Sequence, residues 1–267
     1  MTAQSIPRLI GVIHLPPLPG SPRFEGDLAS IAKRASAEAA LLEAAGFDAV
    51  MIENFGDAPF LPGRVEAVTV AAMTACGLAV RERAPKLALG INVLRNDAES
   101  ALAVASCTQA TMVRVNVHSG ARVTDQGVIE GSAHATLRLR RALGGVHIKL
   151  LCDVDVKHSA PITPRPIEEE AEEVAARGLA DAVLVTGTGT GRGVDTGDLE
   201  RVQKVVHVPT LVASGATIDT LAALRRAHGV IVGTALRASG RAGDPIDAQC
   251  AQTFAEAFRR VFSNEVR

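Results

Sequence analysis

Val146-His-Ile-Lys-Leu-Leu-Cys-Asp-Val-Asp-Val-Lys-His158 places Lys149, Asp153, Asp155 and Lys157 on one parity, and Ile148, Leu150, Cys152, Val154 and Val156 on the other. Side chains two residues apart share a face of a strand, so one face is apolar throughout and the other carries ammonium and carboxylate groups. If both faces are covered, the charged one lines a site.

Similar β-branched runs recur on either side of it. Strands are expected over Leu9 to His14, Ala49 to Glu53, Leu87 to Asn92, Met112 to Val117, Val146 to Asp153, Ala182 to Val185, Thr210 to Ala213 and Val230 to Val232. Helix signals lie between them. Asp27 precedes an Ala-rich run that ends at Gly46, as an N-cap and a C-terminal glycine require. Asp97 opens a helix to Cys107, Pro166 with Glu168 to Glu170 opens another, Asp198 starts a run to Val205, Thr217 one to Arg226, and Pro245 to Phe262 closes the chain. Eight strands alternating with helices, no linker-like segment and a length of 267 residues predict a single (β/α)8 TIM barrel over residues 1–267. A doubly wound open sheet is the alternative.

A chain of this size buries roughly 75% of its unfolded surface. With 47% apolar residues, no Trp or Tyr and seven Phe, its core is built from Ala, Val, Leu and Ile. The net charge is −1, and no basic run is dense enough to neutralise a row of phosphates, which argues against nucleic acid as a partner. Pro16 and Pro17 interrupt the apolar N-terminal stretch, so it does not read as a signal peptide. The longest uncharged apolar stretch, near Ala67 to Val80, falls short of the ~20 residues of a membrane span. A cytoplasmic protein is expected, with a small molecule and further copies of the same chain as its partners. Cys76, Cys107, Cys152 and Cys250 lack C-x-x-C spacing and read as buried, reduced thiols.

In such a barrel the ligand lies at the C-terminal ends of the strands. The groups there are His14, Glu53 with Asn54, Asn92, Asn116 with His118, Asp153 with Asp155, Thr186, Ser214, and Gly233 with Thr234. On the fourth strand Val113, Val115 and Val117 face the helices, which turns Arg114 and Asn116 inward. Lys149 is about 13 Å along the strand from Asp153 and sits lower in the barrel, where it supports Glu53 or Asp153 electrostatically. Arg114 and Lys149 read equally well as structural partners of those two carboxylates. Asp155, Lys157 and His158 fall on the loop, where a solvated role competes with a catalytic one.

Gly215 after the seventh strand and Gly233 after the eighth offer backbone N–H groups where barrels of this kind hold phosphate, with Ser214, Thr234 and the Thr186 to Gly193 segment, Gly187 included, beside them. The bland reading is that these glycines make tight turns. Gly187, Gly189, Gly191 and Gly193 neither follow an early strand nor open a βαβ unit, so no dinucleotide or other cofactor is expected. His14, His118, Asp153 and His158 were the groups to weigh for a metal, but with no H-x-H on the first strand and no H-E-x-x-H motif, none is expected.

Gly11-Val-Ile-His-Leu-Pro-Pro-Leu-Pro-Gly-Ser-Pro22, Glu53-Asn-Phe-Gly-Asp57 with Pro62-Gly63, Gly90-Ile-Asn-Val-Leu-Arg-Asn-Asp97, Arg114-Val-Asn-Val-His118, Thr124-Asp-Gln-Gly127 with Glu130-Gly131, Asp155-Val-Lys-His158, Thr186-Gly187 and Gly229-Val-Ile-Val-Gly-Thr234 closely resemble the BtpA/SgcQ family, nearly end to end. One departure is His228, where the family pattern has Asp. The resemblance implies a ribulose-phosphate-binding-like barrel. It implies either a biogenesis factor for photosystem I in peripheral contact with a membrane, or a nucleosidase in a sugar-metabolism setting, and it carries over no catalytic residues.

Two functions follow from the residues. The first is an enzyme on a phosphorylated sugar or nucleoside-like molecule. In it Asp153, Glu53, His14 and Lys149 serve the chemistry, Asn92, Arg114, Asn116, His118 and Thr186 orient the substrate, and Gly187, Ser214, Gly215, Gly233 and Thr234 hold phosphate. The second is a non-catalytic assembly factor that uses the outer surface. So many inward polar groups favour the enzyme, because each buried charge costs several kcal/mol unless paired.

Overall fold

In the computed structural model, described for residues 5–187 and 193–262, the apolar parity of every inner strand faces a ring of helices. The chain runs β1 (Leu9–His14), α1 (Leu28–Ala45), β2 (Ala49–Glu53), α2 (Ala67–Arg83), β3 (Ala88–Asn92), α3 (Ala98–Thr108), β4 (Met112–Val115), β5 (Ala121–Thr124), β6 (Gly127–Glu130), α4 (Ala133–Ala142), β7 (Lys149–Val154), β8 (Ser159–Pro161), α5 (Ile167–Glu172), β9 (Ala182–Val185), α6 (Thr196–Val205), β10 (Thr210–Val212), β11 (Gly229–Val232) and α7 (Ala248–Phe262). Strands β1, β2, β3, β4, β7, β9, β10 and β11 pair in parallel in that order, and β11 closes on β1. The sheet is a closed barrel; the open alternative is excluded.

Period-two alternation builds two cores. Leu9, Val50, Ile52, Ile91, Val113, Leu150, Cys152, Val183 and Val230 pack outward against the helices. Ile10, Val12, Met51, Met112, Leu151, Leu184, Leu211 and Ile231 fill the barrel interior. Gly90 makes room for that plug, since a Cβ there would lie 2.8 Å from Met112 Cγ and 2.9 Å from Met51 Cε. Polar side chains come one layer above. Register sets their order, with His14 beside Glu53 and Glu53 beside Asn92. Two residues beyond the Gly90 and Met112 pair, Arg114 comes level with Asn92; two beyond the Arg114 and Leu151 pair, Asn116 faces Asp153.

The cap signals behave as read at several ends. Asp27 accepts from the amides of Ala29 and Ser30, Gly46 closes α1 with φ +84°, and Asp97 caps α3 through Ser100 N–H. Asp195, not Asp198, caps α6, through Gly197 N–H. The helix expected over Thr217 to Arg226 is instead a string of tight turns. Thr217 N–H donates to Thr220 Oγ1 at 2.9 Å and Thr220 N–H to Thr217 Oγ1 at 3.3 Å, and most later bonds close on the third residue, as in Leu224 N–H to Leu221 O. Of the thiols expected to be buried, Cys107 is exposed on α3 and Cys250 is partly so.

Not anticipated was a second, antiparallel sheet, in the order β6, β5, β8, built from the segments that follow β4 and β7. Arg122 on β5 fastens it. Its guanidinium donates to Ser159 Oγ at 2.6 Å, to Glu170 Oε2 at 2.9 Å and to Asp155. Asp155 leaves the strand with φ +48°, so the chain beyond it turns back over the barrel mouth. Among the described residues, no helix is long and apolar enough to cross a membrane.

Candidate functional site

Arg114 is the centre of the polar layer. Its Nε and Nη2 donate to Asp153 Oδ2 and Oδ1 at 3.1 and 3.0 Å, and its Nη1 to Glu53 Oε1 at 3.2 Å. Burial alone would push this guanidinium down, but Asp153 and Glu53 more than offset that and hold it above its ordinary value. Asn92 Nδ2 also donates to Glu53 Oε1 at 3.2 Å, and Asn116 Nδ2 to Asp153 Oδ2 at 2.6 Å. An ionised carboxylate only accepts, so each amide must present its NH2 to its carboxylate and its oxygen to the other side. Those two oxygens, Asn92 Oδ1 and Asn116 Oδ1, are buried and have no partner.

Both asparagines are among the residues that line a cavity of about 570 Å³ at the mouth. Its floor is Val12, Ala213 and Ile231; Phe55, Phe60 and Leu94 form an apolar wall; and Ser214, Gly215, Gly233 and Thr234 form the rim over β10 and β11. The backbone amides of Gly215, Gly233 and Thr234 donate to nothing among the described residues. His14 stacks on Phe55 with ring centroids 4.4 Å apart and accepts from Gly243 N–H through Nδ1 at 3.1 Å. Burial, with Arg237, Lys157, Arg114 and Arg34 adding to it, keeps His14 well below the usual histidine range. The neutral ring therefore carries its proton on Nε2, 3.6 Å from Glu53 Oε2. A cavity-facing carboxylate oxygen beside a neutral imidazole can exchange a proton with a bound ligand.

Of the residues expected in the site, His14, Glu53, Asn92, Arg114, Asn116, Ser214, Gly215, Gly233 and Thr234 converge on this one cavity. Asp153 does not reach it. Both its oxygens are taken by Arg114 and Asn116, and it is buried beneath them, so it fixes Arg114 in place. Lys149 lies at the opposite end of the barrel, where it pairs with Asp181 at 3.3 Å; the support expected from it for the two carboxylates comes from Arg114. Replacing Lys149 by methionine should cost no more than about 1 kcal/mol in a denaturant melt, because the pair is partly solvated, and should leave ligand affinity unchanged.

His118 and Thr186 brace loops instead of lining the cavity. β4 ends at Val115, so the chain has already turned when it reaches His118, whose Nε2–H donates to Gly178 O at 2.8 Å. Thr186 Oγ1 accepts from Lys157 N–H at 3.1 Å and donates to Asp155 O at 3.2 Å. Gly187 is buried but absent from the lining, and Gly189 and Gly191 lie outside the described residues. Among the described residues, no three His, Cys, Asp or Glu side chains are grouped to hold a metal ion.

Reading the strand ends missed Arg95 and Asp125 and left Lys157 and His158 between a solvated and a catalytic role; all four line the cavity. Arg95 Nη2 donates to Lys157 O at 2.8 Å. The signal for these was in the loops, where Gly90 to Asp97 and Asp155 to His158 form compact polar runs just after strands. Asn54 and Asp57 shape the loops beneath. Asp57 accepts from Leu18 N–H at 2.8 Å and from Asn54 Nδ2 at 3.0 Å, while Asn54 Oδ1 accepts from Leu94 N–H at 2.7 Å, so the loops after β1, β2 and β3 are tied together.

Among solved structures, the chain superposes on thiamine phosphate pyrophosphorylase from Pyrococcus furiosus with a TM-score of 0.58 at 13% identity, over 97% of both chains. It superposes on 3-keto-L-gulonate-6-phosphate decarboxylase from Vibrio cholerae with a TM-score of 0.56 at 13% identity, over 97% of this chain and 98% of that one. These likenesses concern the fold. In sequence it is 42% identical to the photosystem I biogenesis protein BtpA of Synechocystis, over 96% of this chain and 89% of that one. It is also 42% identical to an uncharacterised protein of Thermococcus kodakarensis, over 97% of both. The BtpA family model matches residues 6–260. With that match and identity sustained nearly end to end, the chain belongs to the BtpA family.

Proposed function

We propose that this barrel is an enzyme acting on a phosphorylated sugar or nucleoside-like small molecule. The observation that carries the reading is the pair of buried, unpartnered oxygens on Asn92 and Asn116. A buried acceptor without a donor costs about 1–3 kcal/mol, so a ligand that brings hydroxyl groups to these oxygens relieves that cost. Across the mouth, the amides of Gly215, Gly233 and Thr234 suit a phosphoryl group. Phe55 and Phe60 supply the apolar face that a sugar ring or base would cover. The names of solved structures of the same fold, which include enzymes of phosphorylated compounds, support the choice of a phosphorylated ligand.

Glu53 and His14 are the groups in position for acid–base chemistry. A carboxylate there also suits a reaction whose transition state has oxocarbenium character, as nucleosidase chemistry requires, or the proton transfers of a lyase or isomerase. Ribose 5-phosphate should raise the melting temperature, ribose and inorganic phosphate should each do so less, and an Asn92→Leu, Asn116→Leu double variant should lose the response to ribose. Equal responses to ribose 5-phosphate and inorganic phosphate would sink the hydroxyl half of the reading.

The name of the Synechocystis relative favours a second reading, a biogenesis factor acting through its outer surface. On that reading, a change confined to the cavity should be silent.

A further inference from the structure

Lys157 is a cavity-lining amine for which the acid–base reading has no task. Of the five lysines in the chain it alone lines the cavity, while Lys33, Lys86 and Lys204 are exposed and Lys149 pairs with Asp181. Its backbone is fixed at both ends, the N–H by Thr186 Oγ1 at 3.1 Å and the carbonyl by Arg95 Nη2 at 2.8 Å. The β5 and β8 pairing holds the following residues, so the side chain is presented to the cavity by a braced segment. Its Nζ makes no hydrogen bond and has no carboxylate within 4.0 Å among the described residues. The two carboxylates whose charge acts on it, Glu53 and Asp153, are already bonded to Arg114.

We propose that the Lys157 amine is a nucleophile that forms an imine with the carbonyl carbon of a phosphorylated aldose or ketose held in this cavity. The proposal rests on the phosphosugar reading above. A lysine desolvated beside other cations is a recognised way of producing a free amine near neutral pH. Burial first, then Arg114, lowers Lys157 below the ordinary lysine range; Glu53 and Asp153 oppose this and Arg95 adds to it. His14, kept neutral in the same cavity, does not compete as a further cation.

The step consumes one proton, supplied by solvent water, and balances without any other reactant. The neutral amine adds to the open-chain carbonyl carbon and a carbinolamine forms after proton transfer from nitrogen to oxygen. The hydroxyl then takes up a proton and leaves as water, so that one C=N bond replaces one C=O bond and the nitrogen carries the positive charge. Glu53 lines the same cavity and is a carboxylate able to steady that cation or to remove a proton from the neighbouring carbon.

The test is reductive trapping. The full chain is incubated with ribose 5-phosphate or fructose 6-phosphate, treated with sodium borohydride and mapped by peptide mass spectrometry, with melting temperatures measured in parallel. The expected result is a melting-temperature rise together with a reduced adduct on the peptide holding Lys157, absent from Lys157→Arg and Lys157→Gln. A rise in melting temperature without an adduct on Lys157 overturns the imine alone. Adducts spread over Lys33, Lys86 and Lys204 do the same. No rise and no adduct with either sugar overturns the phosphosugar reading and the imine with it.

Discussion

Arg114→Met should lower the free energy of unfolding by about 3–5 kcal/mol, the largest loss of any single change in the site, which corresponds to roughly 10 °C in melting temperature. The guanidinium is buried, donates twice to Asp153 and once to Glu53, and is the only cation bonded to either carboxylate among the described residues. Methionine fills a similar volume, so the loss measures charge and not a cavity. What remains is two buried carboxylates with one amide donor each and no counter-ion in contact, which is far costlier than never having buried the charges. The triple variant Glu53→Gln, Arg114→Met, Asp153→Asn should therefore regain most of the loss, because removing all three ions removes the desolvation penalty together with the attraction. Denaturant melts of the two proteins decide it. A single variant that loses less than about 1 kcal/mol, or a triple variant no better than the single, would show that the layer is not held by this ion pair.

The same triad shows how much of the site was legible in the sequence. Parity on a strand is a local rule, and it placed His14, Glu53, Asn92, Arg114 and Asn116 inside the barrel because each inner strand alternates without a bulge. The rule does not say which of two inward groups lies on top. Asp153 was expected at the ligand face, yet Arg114 reaches across from β4 and covers it, a consequence of the stagger between β4 and β7 that no single strand encodes. Lys149 shows the same limit along the axis. Its distance from Asp153 put it lower in the barrel, but its partner Asp181, at the start of the segment into β9, is set by tertiary contact. His118 and Thr186 follow strands closely in sequence, but the strands end early, and one residue of turn is enough to redirect a side chain. Lys157 and Arg95 were obscured for the opposite reason. They lie on loops that would be solvated in isolation, and only the β5, β6 and β8 sheet, formed between two distant loops, folds the Lys157 segment back over the mouth.

Glu53→Gln should lower kcat/KM on whichever sugar phosphate binds by about 10²–10⁴-fold, the range that a positioned proton-transfer group contributes, with KM changed much less than kcat. Glu53 Oε1 is committed to Arg114 and Asn92, each at 3.2 Å, which leaves Oε2, 3.6 Å from His14 Nε2, as the oxygen free to exchange a proton. The amide keeps the shape and an acceptor for Arg114 but cannot take up a proton, so binding survives while chemistry stops. Asp153→Asn provides the contrast. That residue is not among those lining the cavity and is bonded to Arg114 and Asn116, so its loss should appear first as lower stability and weaker binding. Comparing kcat and KM for the two variants therefore separates a catalytic carboxylate from a positioning one. The comparison also bears on the assembly reading, since an outer-surface factor has no use for a proton acceptor at the bottom of a cavity. If Glu53→Gln keeps more than about a tenth of wild-type turnover while still binding the sugar phosphate, the proton is moved elsewhere and Glu53 serves only to steady Arg114.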